Sequence, residues 1–210
     1  MQVLSVNIGK TKSYKYKNQT IKTAFCKEPT TAKTAVHFLG LEGDEQTNKK
    51  YHGGITKAVY AYDNSNYHHW KTILPAYEFV PGNFGENLVT NGLKDEDALI
   101  GNIYKIGTTL LQAIEPRFPC NRLNFRFNNP KMVQLFAAQA RYGIYFKVIK
   151  EGHLQVNDTI TLYEKSNSKI SIQNIATQFI TKAKNLNVIN EIIAEPLLPQ
   201  AVKDKFLKFV

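Results

Sequence analysis

Ile103-Tyr104-Lys105-Ile106-Gly107-Thr108-Thr109-Leu110-Leu111-Gln112-Ala113-Ile114-Glu115-Pro116-Arg117-Phe118-Pro119-Cys120 reads as two short β-type runs, Ile103–Ile106 and 109–115, that feed a proline-stiffened loop ending in a thiol. Runs of β-branched, aromatic and aliphatic residues suit a pleated, half-buried surface. Similar runs occupy Gln2–Ile8, 21–26, 35–39, 58–62, 144–149 and 159–163, punctuated by Gly53-Gly54, Asn91-Gly92, Gly101-Asn102 and Asn157-Asp158. Many short strands with turn residues between them predict a mainly β chain with helices (α+β), built as a barrel or sandwich and not as a doubly wound sheet. Helices are expected over 64–74 and over 130–140, the second opened by Pro130 near its first turn.

The pattern changes after Lys165. Ser166-Asn167-Ser168 reads as a short linker, and beyond it Ile172, Ile175, Phe179 and Ile180 recur at helical spacing, as do Val188, Ile189, Ile192 and Ile193. Pro196 and Pro199 precede a last segment with Val202, Phe206, Leu207 and Val210. The division predicted is a β domain over 1–165 and a three-helix extension over 166–210. Helices this short do not stand alone, so the extension is expected to dock on the β domain.

A chain of 210 residues with 43% hydrophobic and 21% charged residues is long enough to bury a real core. It lacks a basic segment followed by an apolar one at its start, and no apolar run reaches the roughly 18 residues needed to span a bilayer. A soluble, cytoplasmic protein with no membrane partner is expected. Two cysteines, Cys26 and Cys120, form no CxxC pair, which disfavours a zinc knuckle or a dithiol motif. GxxxxGK[ST], GxGxxG and HExxH are missing as well, so NTPase, dehydrogenase and zinc-protease readings lose support.

The net charge of +10 is unevenly placed. All four arginines, Arg117, Arg122, Arg126 and Arg141, lie between positions 117 and 141, and residues 101–150 hold one acid, Glu115, against eight basic side chains. A guanidinium grips phosphate or carboxylate with two parallel donors, whereas lysine is more often a solubilising charge. The cluster reads either as a solvated basic face or as an anion site. Cys120 favours the second: it follows Pro119, lies near Arg117 and Arg122, and guanidinium groups favour the thiolate that attacks or binds soft metals. Cys26, in an alternating run with Ala24, is expected in the core.

Other segments carry weaker signals. Lys49-Lys50-Tyr51-His52-Gly53-Gly54 offers exposed amides and a histidine able to donate to an anion or pass a proton near neutral pH; a surface loop is the alternative. In Pro81-Gly82-Asn83-Phe84-Gly85-Glu86-Asn87-Leu88, Asn87 or Glu86 could hold a ligand, with bracing favoured for Glu86. Lysines interleaved with Tyr14 and Tyr16 over 10–22 look briefly like a nucleic-acid platform, but a solvated hairpin is the better reading. His68-His69 beside Trp70 reads as packing or solvation.

In order along 1–165, the segments 40–46, Lys49-Lys50 with His52-Gly53-Gly54, Lys57-Ala58 with Tyr60, 84–88, and Pro116-Arg117, Pro119-Cys120 and Leu123 resemble the MOSC family, named for the C-terminal domain of molybdenum cofactor sulfurase. Within it the chain is similar to the bacterial YiiM-like branch, whose three-helix extension the tail resembles. It departs at Asn102, which follows Gly101 where Gly-Asp is common, and at Asn157, which precedes Asp158 where Gly-Asp is expected. The resemblance implies a β-barrel-type domain that binds a molybdenum pterin cofactor (molybdopterin), and pyridoxal phosphate by family association only. It implies that Cys120 supplies a thiolate to molybdenum or carries transferable sulfur. Arg117, Lys57, Tyr60, Asn87 and Arg122 would line the cofactor pocket, and His52 would deliver a proton.

The branch's association with reducing N-hydroxylated compounds, hydroxylamino-purine base analogues among them, implies a small N-hydroxylated substrate. No flavin or iron–sulfur motif is present, so an external electron-donor reductase is the implied partner. The rival reading is a sulfur carrier or cofactor-handling module with a Cys120 persulfide. A nucleic-acid-binding protein ranks last.

Overall fold

The computed structural model describes residues 1–47 and 53–210. In chain order its strands are β1 (Gln2–Ile8), β2 (Lys12–Tyr16), β3 (Gln19–Thr23), β4 (Glu28–Thr30), β5 (Thr34–His37), β6 (Gly40–Leu41), β7 (Val59–Asp63), β8 (Leu88–Asn91), β9 (Ile103–Ile106), β10 (Thr109–Pro116), β11 (Ile144–Lys150), β12 (Gly152–Leu154) and β13 (Ile160–Glu164). The helices are α1 (Asn64–Ile73), α2 (Arg122–Arg126), α3 (Met132–Gln139), α4 (Ile172–Ile180), α5 (Leu186–Ala194) and α6 (Gln200–Leu207), with a 3-10 turn at Ile55–Lys57.

Eight strands form one sheet in the order β13-β9-β10-β11-β7-β8-β1-β4. Every neighbour pair is antiparallel except β7 with β8. The ladder is open, yet the sheet curls until β1 meets the chain entering β13. An isolated bridge joins Gln2 to Thr159, and Val3 N donates to Asp158 O (3.0 Å), Asn157 N to Val3 O (2.9 Å) and Ile160 N to Met1 O (2.8 Å). These bonds satisfy edge groups that would otherwise invite pairing with another chain. Asn157 makes this turn at φ 71°, a conformation asparagine tolerates better than most side chains, which explains an Asn where the resemblance leads one to expect Gly-Asp. Asn102 is likewise tied into the structure. It is buried, accepts Ser166 N (2.9 Å) and donates to the Tyr104 hydroxyl (3.3 Å).

The core has two parts. Aliphatic residues of the sheet, including Val3, Val6, Leu88, Ile106 and Leu111, share one cluster with Ile172, Ile175, Ile189, Ile192, Val202 and Phe206 of the three C-terminal helices. The extension docks on the sheet, and its entry is pinned by backbone bonds: Ile172 N donates to Ala98 O and Ile100 N to Ile170 O, both at 2.9 Å. A second, aromatic cluster fills the space between the sheet, α1 and α3. There Trp70 stacks on Phe136 (centroids 6.0 Å, 3°) and donates to the Tyr62 hydroxyl at 2.8 Å, which donates onward to Arg141 O at 3.0 Å.

Local chemistry sets the element ends. Asp63 caps α1 by accepting Ser65 N (3.0 Å), and Ser171 with Asn174 forms a capping box on α4. β2 and β3 form the solvated hairpin expected over 10–22. The run expected over 21–26 ends earlier, at Thr23, because the Thr23 hydroxyl accepts Phe25 N (3.1 Å) and turns the chain. Cys26 is therefore half-exposed in a bend and not in the core. β4, β8, β12 and the one-turn α2 are elements the sequence pattern does not reveal. β4 is three residues long with Pro29 in it and lies at the sheet's margin, where a missing N–H is tolerated. No helix among the described residues is long and apolar enough to cross a membrane.

Candidate functional site

β10 leads into the loop that carries Cys120. Its last residue, Pro116, pairs with Ile144 of β11, and Arg117 N then donates to Gly143 O (3.3 Å). Gly143 holds φ 69°, and a Cβ there would sit 2.5 Å from Ala61 O, so the backbone can approach this closely only at glycine. Arg117 turns inward and is 3% exposed. Its Nη2 donates to Cys120 Sγ at 3.5 Å. The guanidinium carbon lies 5.2 Å from the Phe25 ring centroid, 5.4 Å from Phe136 and 5.8 Å from Tyr60, within cation–π range. Nη1 is buried and has no hydrogen-bond partner, and no carboxylate among the described residues forms an ion pair with Arg117.

Around this pair opens a pocket with about 630 Å³ of empty space, continuous with solvent, lined among others by Lys27, Asp44, Lys57, Tyr60, Asn87 and Tyr145. Burial opposes the charge on Arg117, but Cys120 and the phenols Tyr60, Tyr145 and Tyr62 outweigh it and raise its pKa. Burial pushes Tyr145 up to about 12, with Arg117 pulling the other way. The phenols therefore stay neutral at physiological pH and the guanidinium stays charged.

Of the residues singled out in the sequence, Cys120, Arg117, Lys57, Tyr60, Asn87 and Arg122 all line this pocket. His52 lies outside the described residues, as do Lys49, Lys50 and Tyr51. Not all of the six are available to a ligand. Asn87 is committed to the frame: its Oδ1 accepts Tyr60 N (3.1 Å), and its Nδ2 donates to Asn7 O (3.3 Å) and Asp44 Oδ2 (2.9 Å). The Tyr60 hydroxyl is spent on Tyr142 O at 2.9 Å. Lys57 Nζ stands 3.9 Å from the buried Glu115 carboxylate, which also accepts the Thr56 hydroxyl at 3.3 Å. Burial raises the Glu115 pKa, and Lys57 and Thr56 moderate the rise.

Glu86 is a brace, as expected. Fully buried, it accepts Gly82 N (2.6 Å), Phe84 N (3.0 Å) and the Tyr67 hydroxyl, and so shapes the loop that carries Gly85. Gly85, at φ +79°, lets the Phe25 ring approach to where a Cβ would be 2.7 Å away.

The main wall residues that sequence reasoning missed are Lys27, Phe25 and Tyr145, while Asp44 falls in the quoted segment 40–46 with no role given to it. Lys27 and Asp44 form an ion pair with side chains 8% and 4% exposed, and Asp44 also accepts Gly9 N at 2.7 Å. Seventeen positions separate them, so no local pattern marks the pair. Among the described residues no group of three or more His, Cys, Asp or Glu could hold a metal ion. Among the residues that line the pocket, Cys120 is the soft donor.

The family model of the MOSC domain matches residues 48–161. The chain belongs to the MOSC domain family. "Uncharacterized protein YflK" of Bacillus subtilis (strain 168) is 31% identical over 206 residues, covering 98% of this chain and 93% of that protein. A protein named "Reductase" from Gibberella moniliformis (strain M3125 / FGSC 7600) is 37% identical over 163 residues, 75% of this chain. This MOSC chain spans only 28% of that reductase's length. The crystal structure of YiiM from Geobacillus stearothermophilus superposes with a TM-score of 0.80 at 27% identity, over 99% of this chain and 97% of that one. The fold is thus that of a YiiM-like MOSC protein, mixed α+β with a curled open sheet.

Proposed function

We propose that the Cys120–Arg117 pocket binds a molybdenum pterin cofactor and that the protein reduces N-hydroxylated compounds, hydroxylamino-purine base analogues among them, to amines. The observation that carries this is Arg117: a buried guanidinium with no carboxylate partner among the described residues, one arm on a thiol and the other unpaired. Burying a charge is costly unless something opposite pairs with it. An unpaired donor at the wall of an open pocket fits an anionic group brought in by a ligand. The likeness to a protein named "Reductase" supports the redox part of the reading.

The residues fit such a cofactor by their donor chemistry. Cys120 offers a soft thiolate to the metal. Arg117 Nη1 and Arg122 offer forked donors to a terminal phosphate, and Phe25 and Tyr60 give the guanidinium an aromatic bed that keeps water from it. When bound, the group would supply a metal centre able to exchange two electrons. In the overall reaction the substrate's N–O bond breaks, two electrons and two protons are taken up, and the amine and water leave. The electrons come from an external reductase. Proton delivery by His52 or by a bound water belongs to the same reading.

The test is molybdenum content by elemental analysis of wild type, Cys120→Ala and Arg117→Met, each produced in a host that synthesises the cofactor. Near-stoichiometric metal in wild type and its loss in both variants is expected, followed by loss of hydroxylamine reduction. Because Arg117 is a buried charge without a carboxylate, Arg117→Met should leave stability unchanged or raise it by about 1–4 kcal/mol in urea unfolding. Metal retained in every variant would sink the assignment of both residues. Metal absent throughout, with one extra sulfur atom on Cys120 by mass spectrometry, would favour the sulfur carrier. That alternative draws on the same N–H···Sγ contact, which would steady a persulfide anion.

A further inference from the structure

The loop that carries Cys120 has a second side. Phe118, between Arg117 and Pro119, points away from the pocket and toward the C-terminal helices. Its ring meets Phe179 of α4 edge-on at 4.9 Å and Tyr142 at 6.1 Å. From α6, Lys205 Nζ lies over the same ring, 5.2 Å from its centroid. Lys205 also acts electrostatically on Glu115, the buried partner of Lys57 at the pocket wall. Both helices are firmly seated. Ile172, Ile175 and Ala176 hold α4, Val202 and Phe206 hold α6, and all of these are buried. Leu99 bridges Ser171 at the start of α4.

Arg117 is the residue before Phe118 and Cys120 the second after it, so holding the Phe118 side chain in place restrains the short backbone segment that carries both. We propose that the C-terminal helices are a positioning element for the reactive loop. Phe179 and Lys205 clamp Phe118 from two directions, and the clamp holds Arg117 Nη2 on Cys120 Sγ. Phe118, Phe179 and Lys205 are positioning residues, since none of them lines the pocket. This holds whichever chemistry Cys120 performs.

The experiment uses the full-length protein at a single pH. Cys120 is alkylated with neutral iodoacetamide and with anionic iodoacetate, and each rate is read from the mass of the Cys120 peptide. The ratio of the two rates reports whether a guanidinium stands beside the sulfur, because its positive charge favours the approach of the anionic reagent. Wild type should prefer iodoacetate. Lys205→Met and Phe179→Leu should each lower that preference by about threefold or more, and Lys205→Arg should preserve it. In an Arg117→Met background the preference should already be gone, with Lys205→Met changing it no further.

Lys205→Met removes a half-exposed side chain, so it should fold even if Phe179→Leu does not. A wild-type ratio in the tail variants, with only the urea midpoint lowered, would overturn the proposal. So would an equal drop on Lys205→Met in the Arg117→Met background, which would mean a bare charge effect. The readout needs no cofactor, so it stands or falls separately from the reductase reading.

Discussion

Asp95 shows what a buried charge does when its partners are only backbone. Its Oδ2 accepts Tyr142 N (3.0 Å) and Gly143 N (2.9 Å), which fixes the turn on which Arg117 leans, while Oδ1 is buried without a partner. Burial pushes its pKa from the ordinary 3.8 up to about 6, against the pull of those two N–H donors. The folded chain therefore binds this proton more tightly than the unfolded chain, and the group's contribution to stability declines as pH rises from 3.8 to about 6. The shift corresponds to on the order of 3 kcal/mol. Compared with Asp95→Asn, whose amide does not titrate, wild type should lose stability over that window and run parallel above it. Urea unfolding of both proteins at several pH values measures the difference, and a constant difference between them would refute the assignment.

At the scale of elements, the site is a meeting of three loops, each shaped by a different local device. The loop after β10 is shaped by Pro116 and Pro119. The chain after β3 is turned by the Thr23 hydroxyl so that Phe25 reaches Arg117. The turn before β8 is held by Glu86 around Gly85. Gly85→Ala should strain that turn and push the Phe25 ring off the guanidinium, costing about 1–3 kcal/mol in urea unfolding. An unchanged unfolding midpoint would mean that Phe25 yields freely and does not set the wall. The first loop was legible in the sequence because prolines, arginines and the cysteine fall within a few positions. Phe25 was not, since nothing in 23–27 says which side chain turns toward Arg117.

At the scale of the molecule, the helical tail and the sheet share one aliphatic core, so the change of pattern at 165 marks a change of element type within a common interior. Trp70, the only tryptophan, sits in the aromatic cluster and reports on the sheet side. Phe206→Ala in α6 should therefore lower the unfolding midpoint seen by Trp70 fluorescence, by about 3–5 kcal/mol in free energy. If Trp70 kept its wild-type midpoint while the helical signal melted earlier, tail and sheet would be separate folding units. The charge of +10 also acts at this scale by favouring anionic partners at encounter, and four of the cations, Lys27, Lys57, Arg117 and Arg122, line the pocket.

The sequence by itself determined the mainly β class with helices, the helical tail and the crowding of prolines, arginines and Cys120 into the run from Pro116 to Arg122. These follow from periodicity, turn residues and local composition, which act over a few positions. The strand order, the meeting of β1 with the chain entering β13, the Lys27–Asp44 pair, the clamp on Phe118 and the unpaired arm of Arg117 were decided only by the tertiary structure. Each depends on which distant segments come to share one desolvated space, and desolvation is a property of the packed whole that no window of residues contains.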